Sequence, residues 1–125
     1  MTKHHPNQIL QKLEAEHVQL EQSILQILQQ STNTDDAELR NQLLHTQAQL
    51  WPESLSRYCP SFLAAPKRRL EKVQAAISQI KLGIYGICAD CEAQIEPERL
   101  ELDPASQRCN ACDKKALQQT PELRR

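Results

Sequence analysis

The chain is poor in the residues that build a wide, mixed core. Of its 125 residues, Trp51, Tyr58, Phe62 and Tyr85 are the only aromatics, and Gly83 and Gly86 are the only glycines. Aromatic side chains carry the largest apolar areas, so a large globular core is not expected. The apolar residues are mostly Leu, Ile and Ala, which suit helix packing. No run of eighteen apolar residues exists, which removes a membrane-spanning helix. The opening MTKHHPNQ lacks the apolar stretch of a signal peptide. A net charge of −1 and a pI near 6.4 give no bulk attraction toward nucleic acid. A glycine-rich phosphate loop is absent, as is any nucleophile arrangement of the Ser/His/Asp or Cys/His kind, so no enzyme is expected.

What the chain does have is two matched cysteine pairs, Cys88-x2-Cys91 and Cys109-x2-Cys112, separated by Glu92 to Arg108. This spacing lies in the range of a four-thiolate zinc site. Zinc takes four sulfur ligands tetrahedrally, and each C-x2-C pair turns two thiolates toward one point. Buried free thiols or disulfides are the alternatives. A closed set of four ligands leaves no open position for water or substrate, so one structural zinc ion is expected. Metal binding in small finger peptides contributes on the order of 10–16 kcal/mol, and here it should hold the C-terminal third together. Zinc-ready thiols, rather than a disulfide framework, point to a reducing cytoplasm.

Upstream, Leu10, Leu13, His17, Leu20, Ile24 and Ile27 alternate steps of three and four, with Ile9, Val18, Leu25 and Leu28 widening the seam. This predicts a coiled-coil helix over about 6–30, opened by Pro6 and ended by Ser31 to Thr34. A second, weaker amphipathic stretch is expected over about 34–50, with Thr34 as N-cap and Asp35 and Asp36 in the first turn. Pro52, Pro60 and Pro66 then predict a loop or short broken turns over 51–65. The pattern recovers through Leu70, Val73, Ile77, Ile80 and Ile84, predicting a helix over about 66–82. The fold class is therefore mostly α. An antiparallel helical hairpin or coiled coil over 1–82, with a third helix packed on it or forming its far end, precedes a four-cysteine zinc-finger module with a C-terminal helix over 83–125. The far end lies near Ser31 to Asp36 on one chain path and near His45 to Leu55 on the other.

Several residues admit two readings. Asp35, Asp36 and Glu38 are either partner-contacting acids or residues favouring a helix start. Lys67, Arg68 and Arg69, with Lys72, are either a contact for an acidic or nucleic-acid partner or a solvated helix face. Lys114, Lys115, Arg124 and Arg125 form a basic C-terminal element. His17 is a ligand, or a histidine satisfied by a neighbour within the seam. Cys59 is a redox handle or an inert thiol. Trp51 is an anchor or an exposed contact.

The run Gly83-Ile84-Tyr85-Gly86-Ile87-Cys88-Ala89-Asp90-Cys91, then Ile95, Arg99-Leu100, Pro104 and Cys109-Asn110-Ala111-Cys112, resembles the DksA/TraR family of bacterial zinc-finger transcription regulators. The resemblance covers roughly Lys81 to Lys115. It implies direct binding to bacterial RNA polymerase, with no DNA site of the protein's own. A helical hairpin would enter the secondary channel, while the zinc module and C-terminal helix hold the rim. It also implies altered open-complex stability, often together with the nucleotide alarmone ppGpp. This chain departs from the family pattern in three places. The acidic D-x-x-D-x-A tip motif is absent; the nearest acidic cluster is Asp35, Asp36 and Glu38, whereas the family tip should fall near His45 to Leu50. The proline-rich segment interrupts the returning helix. Glu92 stands where glycine is usual after the first pair. The competing reading is a zinc ribbon that binds nucleic acid, or an adaptor that keeps the scaffold without tip activity.

Overall fold

The computed structural model describes residues 6–119, with side chains over 7–116. Arg124 and Arg125 lie outside the described residues. The chain is mostly helical: α1 is Pro6–Gln29, α2 Thr34–Leu44, α3 Trp51–Arg57, α4 Ala64–Leu82, α5 Pro97–Leu102 and α6 Asn110–Gln119. Short 3-10 turns at Ala48–Leu50 and Ser61–Leu63 lead into α3 and α4. No strand occurs among the described residues, only an isolated antiparallel bridge between Ile87 and Gln94. Two compact units emerge. One is Glu14–Gln74; the other joins the chain up to Leu13 with Ala75 onward.

The Glu14–Gln74 unit has a continuous apolar core. Ile24 and Leu28 of α1, Leu39 and Leu43 of α2, Trp51 and Leu55 of α3, Leu63 and Leu70 are all buried together. Each such side chain, fully buried, contributes roughly 1.5–3 kcal/mol. The long seams predicted for α1 and α4 supply much of the buried surface, with three adjustments: Ile84, assigned to the second seam, lies past the end of α4 and is about half exposed. Val18 is about half exposed, while Ala76, too small to stand out in an apolar pattern, is fully buried.

Residues 51–65 are more regular than the loop or short broken turns expected there, α3 being the addition. The expected loop holds α3, a 3-10 turn and the first residues of α4. The prolines do not break these elements because each sits where no backbone N–H is needed. Pro52 lies in the first turn of α3, Pro60 caps the 3-10 turn, and Pro66 lies in the first turn of α4. The second expected helix, 34–50, stops at Leu44. Side chains take up its last carbonyls: His45 Nδ1 meets Asn41 O at 2.8 Å, and Thr46 Oγ1 donates to Gln42 O at 2.7 Å. The Trp51 indole N–H is shared between Leu43 O at 3.1 Å and Thr46 O at 3.0 Å. The helix start shifts by one residue as well. Asn33, not Thr34, is the N-cap, its Oδ1 accepting from Asp35 N at 2.7 Å.

Polar contacts orient the connecting helices within this unit. Gln74 Nε2, on α4, donates to Ala48 O at 3.0 Å and lies 2.9 Å from His17 Nε2 on α1. The segment around Ala48 therefore lies beside His17, twelve residues before α1 ends at Gln29, or about 18 Å along the helix. At the other end of α2, Asp36 accepts from Ser31 Oγ at 2.6 Å and from Tyr58 OH at 2.7 Å. Of the two chain paths, the contacts select the one whose far end lies near Ser31 to Asp36.

Candidate metal centre

The second unit carries the two cysteine pairs. α4 ends in a Schellman motif: Gly83 N–H bonds Ile80 O at 3.1 Å, and Ile84 N–H bonds Gln79 O at 2.9 Å. Gly83 has φ +78, which a side chain would resist. The chain then forms the first knuckle. Cys88 N–H donates to Ala93 O at 2.7 Å, Glu92 N–H to Cys88 O at 3.0 Å, and Ile95 N–H to Gly86 O at 2.8 Å. Closing this turn puts Glu92 at φ +65, the single non-glycine residue with positive φ among those described. The side chain that replaces the expected glycine is accommodated in a left-handed conformation, at a cost of roughly 1–2 kcal/mol.

The second pair sits at the start of α6. Cys109 directly precedes the helix and Cys112 lies in its first turn. Positive partial charge at a helix N-terminus favours thiolates there. Three polar contacts fix this helix start against the loop between the pairs. Glu96 Oε1 accepts from Asn110 N–H at 3.1 Å, and Arg99 reaches Asp113 at 3.3 Å and Arg108 O at 3.2 Å. Arg108 in turn bonds Asp90, at 2.8 Å, tying the second knuckle back to the first. Tyr85 OH donates to Pro104 O at 2.7 Å. Beneath the knuckles Cys88, Ile95, Leu100 and Cys109 form a small buried cluster.

The four sulfurs all lie within 4.8 Å of one another. Cys91 Sγ and Cys109 Sγ are 3.7 Å apart. A tetrahedron of Zn–S bonds of about 2.3 Å has an edge of about 3.8 Å, whereas a disulfide is about 2.05 Å. All four thiols are free. The residues fit one four-coordinate zinc ion. Their acidities reflect this crowding. Burial raises the Cys88 thiol, but backbone N–H groups of Cys91, Cys109 and Asp90 outweigh it and bring the pKa down to about 6. Cys112, facing the Cys109 and Cys91 sulfurs, is pushed up to about 12. Four thiolates this close repel one another unless a dication lies among them, so metal capture and proton release are linked.

The other candidate residues fall elsewhere. Asp36 is buried, 3% exposed, with both carboxylate oxygens bonded inside the helical unit. Asp35 and Glu38 are exposed. Arg69 forms a two-pronged pair with Glu16, one arm at 3.0 Å, and Lys67 bonds Glu71 at 3.0 Å. Arg68, Lys114 and Lys115 are exposed. Trp51 is an anchor, buried at 3% exposure. Cys59 packs against the helical core, and burial raises its pKa, which disfavours the reactive thiolate. Sequence reasoning missed the Ser31–Asp36–Tyr58 bonds and the Glu96 and Arg99 clamp on α6. These pairs are 5 to 22 residues apart, and no periodic signal announces them.

Residues 83–116 match the prokaryotic dksA/traR C4-type zinc finger. The chain therefore carries a zinc finger of the DksA/TraR type, immediately after its long helices. No curated protein and no solved structure gives a significant match to the chain.

Proposed function

We propose that this protein is a non-enzymatic transcription regulator that binds bacterial RNA polymerase at the secondary channel, with zinc in a purely structural role. The observation that carries the reading is the DksA/TraR-type finger over 83–116, set directly after α4. The bonds from Glu96 and Arg99 to α6 give the finger a rigid second knuckle, as a rim-holding module requires. Lys114 and Lys115, exposed on α6, are the cations offered to the polymerase rim. Exposed Asp35 and Glu38, near the Ser31–Asp36 end of the helical unit, are the acids offered to the channel. The alarmone ppGpp would act at the complex. No helix among the described residues is long and apolar enough to cross a membrane. A polymerase-binding role would place the protein in the cytoplasm.

Asp36 favours a second form of the same reading. With both oxygens engaged by Ser31 and Tyr58, it is not available to a partner. Fewer free acids then remain than a D-x-x-D tip would present, as in an adaptor that occupies polymerase without the usual tip activity. A nucleic-acid-binding ribbon has less support, because Arg69 and Lys67 are paired with Glu16 and Glu71. Retention of the zinc-loaded protein by immobilised core RNA polymerase at low salt tests the proposal. Absence of retention, with zinc content and helicity intact, counts against it.

A further inference from the structure

His17 stands at the junction of three segments of the helical unit, and its hydrogen bonds run in one direction. Its Nδ1 lies 2.7 Å from Glu21 Oε2, a carboxylate that only accepts, so Nδ1 carries a proton. The Gln74 amide nitrogen is identified by its bond to the Ala48 carbonyl, which also only accepts, at 3.0 Å. That same nitrogen lies 2.9 Å from His17 Nε2, so Nε2 must accept. The ring is therefore neutral, and the chain reads Gln74 to His17 to Glu21. Adding a proton at Nε2 would set two N–H donors against each other at this distance. Turning the Gln74 amide over would satisfy His17, but it would present a carbonyl oxygen to the Ala48 oxygen and lose that bond.

We propose that His17 is a proton-sensitive latch, holding the Ala48–Leu50 turn, and through it the α2–α3 pair, against α1 and α4. On α1, Glu21 bonds the ring, and Glu16 is paired with Arg69 of α4. Glu71 of α4 is paired with Lys67. The Ala48–Leu50 turn brings no titratable group. Histidine is the side chain whose charge changes in the physiological range. Protonated, His17 keeps Glu21, and the contact that fails is the one to Gln74 and Ala48. The turn that leads into buried Trp51 then loses its hydrogen-bonded link to both long helices and is held by the packing of Ala48 on the core alone. The latch stands independently of polymerase binding.

Nuclear magnetic resonance of the isotopically labelled, zinc-loaded full chain between pH 8 and pH 5.5 tests this. The His17 ring and the amides of Ala48, Gln49 and Leu50 are followed together, with the finger amides marking the range over which zinc stays bound. The expected result is that the three amides shift with the same midpoint as the His17 ring, and that His17→Gln abolishes their response. Amides that stay constant while His17 titrates would overturn the latch. So would a ring that takes up no proton in the range, or a response that survives in His17→Gln. Should His17→Gln not fold, Gln74→Leu serves instead. It removes the link, so His17 should titrate while residues 48–50 stay still; a response there refutes the proposal.

Discussion

Replacing Trp51 tests the largest correction that the structure makes to the sequence reading. The indole is 3% exposed and sits among Leu39, Leu43 and Leu55, while its N–H closes the end of α2 through Leu43 O and Thr46 O. Truncation to alanine removes a buried ring, a change that typically costs about 3–5 kcal/mol. Leaving helix-end carbonyls without their donor accounts for about 1–3 kcal/mol of such a loss. Against a total stability of roughly 5–15 kcal/mol, Trp51→Ala should leave the helical unit marginal. Trp51→Phe keeps most of the packing and loses the donor, so a loss of about 1–2 kcal/mol is expected. Urea unfolding followed by circular dichroism reads both variants. Because Trp51 is the only tryptophan, wild-type fluorescence reports its environment directly and should be blue-shifted, moving red on unfolding. Emission typical of a solvated indole in the native protein, together with a loss below about 1 kcal/mol in Trp51→Ala, would refute the docked α3 and restore the loop.

Glu92→Gly should stabilise the finger by about 0.5–1 kcal/mol, the left-handed cost relieved less the added freedom of glycine when unfolded; slower zinc loss to a chelator checks it. Cys91→Ser or Cys109→Ser should release zinc and unfold the finger, and unchanged metal content in a zinc assay would contradict the ligand assignment. Tyr85 is raised to about 12, chiefly by burial and then by Asp103, so its neutral form is favoured in the folded finger. Its contribution is fully present below its ordinary pKa of about 10 and is lost as pH rises through about 12. Tyr85→Phe should flatten the loss of finger stability over that alkaline window, read by thermal melts at fixed pH.

How much was legible in the sequence follows from the range of the interactions. Leu13, Ile24, Leu70 and Val73 announce themselves through helical periodicity, and all are buried. The two cysteine pairs fix their own chemistry, because C-x2-C geometry is local. The segment around 51–65 was not legible, since a proline is read as a breaker unless its place in the first turn is known. That place depends on Trp51 and Leu63 being buried by residues far along the chain. Asp36 carried two readings, and it does lie in the first turn of α2. Its bond to Tyr58, 22 residues on, turns it inward, which no local pattern announces. His17 is the intermediate case. A polar residue in an apolar seam predicts a partner, while the identity of that partner, Gln74, is a tertiary fact.

The central claim is most directly tested by competition on core RNA polymerase between the zinc-loaded protein and a known secondary-channel ligand. The account predicts displacement, and its loss in the Cys109→Ser variant, whose rim-holding module no longer folds. Simultaneous binding of both proteins, or no binding by a protein with intact zinc and helices, would contradict it.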